Sequence, residues 1–271
     1  MCGRYILVQK LELIEKRFNV SAHSGTEWKP AYNISLGQLA PVITGDNPRE
    51  LQLFRFGMTP FWAKKDMYII NARAEGDHNK ENNANYKGAK GIITKPSFRK
   101  PIRSQRCLIL ADAFIEGTVK EKLSKPFVVY LKKNVRPFAF AGIWDEWTNQ
   151  ETGEIIRSFA IITTSANELL QKLPHHRSPV ILDQRSEKKW LNQELPLADV
   201  TKLLRSYPSE LMNAYPVDAQ IKNPKAEGKE LLNPIGERVV PEFDTRTKQD
   251  IELQGMGSGK KFKYDSELPW G

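Results

Sequence analysis

The chain's 271 residues are 40% hydrophobic and 27% charged, the balance of a soluble globular protein. No apolar run reaches the roughly 18 residues of a membrane span and the N-terminus has no apolar leader, so a cytoplasmic protein is expected, nucleoid-associated if bacterial. Forty-one Lys and Arg against 32 Asp and Glu leave a formal charge of +9, which favours polyanionic partners, while two cysteines and four histidines without ligand spacing argue against a disulfide scaffold, a metal site or a cofactor.

Residues 10–18 place Leu11, Ile14 and Phe18 at helical spacing, with Leu13 widening the apolar face, and predict a short amphipathic helix. After it the chain turns strand-like. Residues 51–58, 67–70, 107–111, 127–131, 138–147 and 155–163 are rich in β-branched and aromatic residues or alternate in polarity. Between them, residues 76–90 are polar, dense in Asn and Lys, and read as a surface loop. Further helices are expected over 166–173, from a Ser186 cap through Trp190, and over 197–207. Strands and helices do not alternate strictly, which excludes a doubly wound sheet. The expected fold is α+β: a single domain over residues 1–240 with a largely antiparallel, barrel-like β core flanked by helices. From residue 245 the apolar periodicity ends and residues 245–271 read as a flexible tail.

Cys2 carries the most specific chemistry. If Met1 is removed, Cys2 presents an α-amine and a thiol on adjacent carbons. An α-amine has a pKa of about 7.7–8.0, so roughly a tenth is neutral at pH 7, against well under a thousandth of a lysine side chain. A neutral amine condenses with an aldehyde to a Schiff base, and the neighbouring thiol can close a five-membered thiazolidine. An internal cysteine has no free amine and cannot do this.

The motifs Met1-Cys2-Gly3-Arg4-Tyr5, Tyr32-Asn33, Pro41-Val42, Arg55-Phe56-Gly57-Met58-Thr59-Pro60-Phe61-Trp62 and Asn71-Ala72-Arg73-Ala74-Glu75 occur in that order. Arg106-Cys107-Leu108-Ile109, Asp112-Ala113-Phe114-Ile115-Glu116, Phe140-Ala141-Gly142-Ile143-Trp144, Ile161 to Asn167 and His175-His176-Arg177-Ser178-Pro179-Val180 follow. Together, over residues 2–235, they resemble the SRAP family, the SOS-response-associated peptidase-like proteins. There are departures: Phe56 stands where the family usually has Trp, Leu110 for Pro, Ala113 for Gly, Gly117 for Trp and Ser178 for Met. These apolar changes are expected to alter the shape of a DNA pocket more than its chemistry. Residues 76–94 also run longer than the resemblance implies and read as an insertion.

The resemblance implies an abasic-site processing protein that binds single-stranded DNA and crosslinks to it through Cys2, protecting damaged DNA, with lyase activity through the same Schiff base. It implies acid–base work by Glu116 and His175, an Asn71 amide that orients the Cys2 amine, and DNA contacts from Arg4, Trp62, Arg73, Thr164 and Arg177. No cofactor is implied. Cys107 is expected to be a buried small hydrophobe, and Trp144, Trp147 and Trp190 packing residues. Two other readings stay open: a thiol peptidase that processes itself through Cys2, and a non-covalent single-strand binder. The expected state is a monomer, with Leu268 and Trp270 of the tail offering a docking peptide for a replication or repair protein.

Overall fold

The long β-branched and aromatic runs form strands because each presents buried side chains to one shared core. The computed structural model describes residues 2–22, 27–133 and 135–242. The predicted tail lies outside the described residues. In chain order come β1 (Arg4–Leu7), α1 (Leu11–Phe18), β2 (Ser21–Ala22), β3 (Ala31–Ser35), β4 (Leu39–Thr44), β5 (Glu50–Phe56) and β6 (Asn71–Arg73). Next are α2 (Pro101–Ser104), β7 (Arg106–Ala111), β8 (Ala113–Thr118), β9 (Lys122–Leu131), β10 (Phe138–Thr148) and β11 (Ile155–Ser165). The last elements are α3 (Glu168–Lys172), β12 (Arg177–Pro179), β13 (Ile181–Leu182), α4 (Gln184–Leu191), α5 (Leu197–Lys202) and β14 (Met212–Pro216). No described helix is long and apolar enough to cross a membrane.

Five strands close on themselves. β4, β5, β11, β10 and β7 pair in a ring, antiparallel at every seam except the parallel β5–β11 contact. The α+β, barrel-like expectation is met, and closure leaves the core strands without a free edge. A second sheet, ordered β14-β9-β8-β1-β3, packs beside it. Tyr5 of β1 seats it, meeting Phe56 and Phe140 edge-on at centroid distances of 5.6 and 6.0 Å. Phe56 itself stacks on Phe159 at 5.2 Å. Phe56, Leu110 and Ala113 are all buried, so these departures from the family pattern repack the core rather than reshape an outer surface. Trp144, Trp147, Trp190 and Cys107 are likewise buried.

Several boundaries differ from the sequence expectation. Residues 107–111 fall in β7 as expected, but at Asp112 the chain changes sheets and starts β8, a strand not separately expected. Asp112 makes that crossing: its N–H donates to Ile6 O at 2.7 Å and its carboxylate accepts from Val8 N and Gln9 N at 2.6 and 3.0 Å. Asp183, not Ser186, caps α4, accepting the Ser186 N–H at 2.7 Å. The helix expected to reach residue 207 stops at Lys202, ahead of a run through Tyr207-Pro208. Residues 67–70 contribute only a Met58–Ile69 bridge, and the strand proper is β6.

Gly117 has a steric explanation. A Cβ at this position would lie 1.8 Å from the Lys122 carbonyl oxygen, where the β8–β9 register slips. The hairpin therefore excludes every side chain, the tryptophan of the family pattern included. Gly117→Ala is expected to lower stability by about 1–3 kcal/mol, as overpacking does. A denaturation midpoint equal to wild type would contradict that account.

Candidate functional site

The site lies on the seam between the two sheets. β1 and β8 belong to the second sheet and run antiparallel, Arg4 opposite Ile115 and Tyr5 opposite Phe114, which carries Cys2 toward the Glu116 end of its neighbour. From the barrel side, β6 lies parallel to β11, with Asn71 opposite Ile161 and Arg73 opposite Thr163. β12 flanks the other edge of β11, with Arg177 opposite Ser165, and holds His175 just ahead of it. Val119 N donates to Pro174 O at 3.0 Å, tying the chain beyond Glu116 to the His175 loop.

Cys2, Asn71, Glu116 and His175 meet there. Asn71 Nδ2 donates to Cys2 O at 3.0 Å and to Ile70 O at 3.1 Å, which fixes the amide's orientation. Its Oδ1 is buried without a hydrogen-bond partner among the described residues, an acceptor in hand beside Cys2. Glu116 is only 3% exposed, and its Oε2 is 3.3 Å from His175 Nε2. Burial pushes the Glu116 carboxyl up to about 7. Burial pushes His175 down to about 4, so its ring is neutral near pH 7. His175 Nδ1 lies 2.8 Å from Arg177 O, a pure acceptor, and that contact is shorter than the 3.4 Å from Arg177 N. The ring proton therefore belongs on Nδ1, leaving the Nε2 lone pair to receive a proton from Glu116. In these protonation states Glu116 can give a proton and His175 can accept one.

Cys2 is wholly buried and its thiol pKa is raised well above the usual range, first by burial and then by the nearby Glu116 carboxylate. Near neutrality the sulfur is a thiol, not a thiolate.

The expected DNA contacts separate into two groups. Trp62 is 48% exposed with Phe61 beside it, a free aromatic face rather than a core residue. Arg73 is half-buried at the end of β6. Arg177, Thr164 and Arg4 are engaged with groups of the protein itself. Arg177 is 2% exposed, and its Nη2 donates to Glu75 Oε2 and to Thr163 O, both at 2.8 Å. The Thr164 hydroxyl donates to Glu75 Oε1 at 2.6 Å. Arg4 donates to Asn33 Oδ1 at 2.9 Å and to the Lys222 carbonyl.

Glu75 is the residue that sequence reasoning passed over. It is fully buried and also accepts from Ser165 N at 3.2 Å. Burial raises its pKa, but the Thr164 hydroxyl and the Arg177 charge outweigh that and hold it below the ordinary value. Its signal was visible in Asn71-Ala72-Arg73-Ala74-Glu75: a carboxylate in an otherwise core-facing segment needs a cation. Through Arg177, whose carbonyl takes the His175 Nδ1 proton, Glu75 sets the frame that aims His175 at Glu116.

Comparison with known proteins places this arrangement. The family described as SOS response associated peptidase (SRAP) matches residues 1–224. Abasic site processing protein YoqW of Bacillus subtilis is 35% identical over 239 residues, covering 86% of this chain and 99% of its own. Abasic site processing protein HMCES of Gallus gallus is 27% identical over 278 residues, covering 89% of this chain and 78% of its own. The crystal structure of a protein from Bacteroides thetaiotaomicron superposes with a TM-score of 0.72 at 28% identity, covering 86% of this chain and 99% of that one.

Proposed function

The chain belongs to the SOS response associated peptidase (SRAP) family, and from that premise we propose that it captures abasic sites in single-stranded DNA covalently, through Cys2 once Met1 is removed. The observation that carries the reading is a buried carboxyl with a pKa raised to about 7, set among Cys2, Asn71 and His175. The names of the relatives, abasic site processing proteins, support the substrate class.

The chemistry proceeds in three steps. An abasic deoxyribose is mostly a closed hemiacetal. Opening breaks the bond between C1′ and the ring oxygen; Glu116 supplies the proton that oxygen needs, and the C1′ hydroxyl gives up its proton as the carbonyl forms. The neutral Cys2 amine, accepted by Asn71 Oδ1, then attacks C1′ and expels water, forming the imine. Finally the Cys2 S–H adds across the C=N bond: sulfur bonds carbon, the proton ends on nitrogen, and the thiazolidine closes. His175 Nε2 accepts and returns protons during these transfers. The same imine opens a lyase branch, in which loss of a C2′ proton expels the 3′ phosphate.

The protonated thiol favours this order over thiol-first peptidase chemistry, which needs a thiolate. The test is intact-protein mass spectrometry after incubation with single-stranded DNA carrying one abasic site. The expected mass is protein lacking Met1 plus DNA, less one water. Absence of that species, with Met1 removed and the protein folded, overturns the proposal.

A further inference from the structure

We propose that residues 76–91 form a clamp on the bound strand, adding Lys90 to the backbone-phosphate contacts and holding Arg73 in place for its own. The proposal rests on the single-stranded DNA reading above and extends it to a segment that reading leaves unused.

The segment is a built element. It leaves and returns at one point: a Cβ on Gly76, whose φ is +58°, would lie 3.0 Å from the Gly91 Cα, and one on Gly91 would lie 2.7 Å from Glu75 O. Ile92 N then rejoins the core by donating to Ala74 O at 3.1 Å. Such a loop with touching ends packs on its own side chains. Here Asn79, itself buried, does this work. Its Nδ2 donates to Asn83 O at 3.0 Å and Ser165 Oγ at 3.2 Å, and its Oδ1 accepts from Asn83 N at 2.8 Å. Ser165 Oγ donates in turn to Asn83 O at 3.0 Å. The loop is thus stapled to the end of β11, where Ser165 N also meets Glu75.

Two consequences follow for charge. First, Arg73 Nη2 donates to Asn79 O and to Asn82 Oδ1, the latter at 3.1 Å, so the loop aims this guanidinium. Second, Lys90 is half-buried at the loop's return, next to the Gly91 that packs on Glu75. Burial lowers its pKa, Glu75 opposes that and Arg177 adds to it, which places all three within one electrostatic neighbourhood. Arg73 and Arg177 also feel each other's charge. The one ion pair of Glu75 among the described residues is with Arg177. Of the loop's own acids, Asp77 is bonded to Lys95 and Glu81 is exposed. Among the described residues, Arg73 Nε and Arg177 Nε and Nη1 are buried donors with no hydrogen-bond partner. Positive charge gathered at one edge of the fold is unfavourable, and a phosphodiester anion seated against Arg73 and Lys90 relieves it.

The experiment is a salt titration of binding to fluorescent, undamaged single-stranded DNA, with the full chain as wild type, Lys90→Gln and Asn82→Asp. Each phosphate contact contributes about −0.7 to the slope of log affinity against log salt. Lys90→Gln is expected to flatten the slope by about 0.7 and to weaken binding about fourfold at 0.15 M salt. Asn82→Asp sets a carboxylate against Arg73 and is expected to weaken binding without deleting a lysine. Circular dichroism verifies the fold, and Asn82→Asp decides if Lys90→Gln misfolds. Wild-type slope and affinity in the folded variants overturn the clamp while leaving the DNA reading intact. Salt-independent or absent binding by the wild type overturns both.

Discussion

Cys2→Ala is expected to reduce the heat-stable adduct with abasic single-stranded DNA to the background of an undamaged control. The amine survives in this variant, so a Schiff base still forms and borohydride still traps it. What is lost is ring closure, because nothing remains to add across the C=N bond. The two readouts separate the two nucleophiles: stable adduct falls, and reducible adduct persists. Wild-type protein with Met1 retained is expected to give no heat-stable adduct, since the nitrogen of Cys2 is then an amide and no thiazolidine can close. Burial and the neighbouring carboxylate raise the thiol pKa, which favours the order in which the amine acts first. Equal yields of heat-stable adduct from Cys2→Ala and wild type would remove Cys2 sulfur from the mechanism.

Glu116→Gln is expected to slow single-turnover adduct formation by about 10²–10⁴-fold, the ordinary worth of a positioned acid. The pH profile is the sharper readout. The amine must be neutral, so rate rises with pH toward about 8. The acid must be protonated, and its pKa raised to about 7 means that protons are lost above that pH, so rate then falls. The wild-type profile is therefore a bell whose limbs are apparent constants of the coupled pair. A glutamine cannot lose a proton, so the descending limb disappears along with the rate. His175, with its pKa pushed down to about 4, stays neutral across this range and contributes no limb of its own. A descending limb that persists unchanged in Glu116→Gln would assign the acid to another group.

Much of this was legible in the sequence, for reasons that can be located. The barrel strands were readable because residues 107–111, 138–147 and 155–163 are rich in β-branched, aliphatic and aromatic residues, as largely buried strands are. β6, only three residues long, and β1 were too short to announce themselves. The immediate start of β8 after Asp112 was not visible, because its cause is tertiary: the carboxylate reaches back to Val8 and Gln9. Cys2, Asn71, Glu116 and His175 were identified from motif order, and their convergence is a matter of sheet pairing. Which arginines face solvent was not legible at all. Arg73 and Arg177 look equivalent as letters, and only the position of Glu75 beneath Arg177 distinguishes them.

The placement of the site on a seam has a protective side. An unblocked N-terminal cysteine condenses with almost any small aldehyde, and cells contain many. In this chain the amine and its carboxylic acid arrive on one sheet, while the orienting amide and the proton acceptor arrive on the other. On the proposed mechanism, nascent or half-folded chains hold the nucleophile without the machinery that makes it fast, and in the folded chain the sulfur is buried. Reactivity is thereby a property of assembly rather than of the residue, and a chain that has not brought its two halves together is chemically discreet.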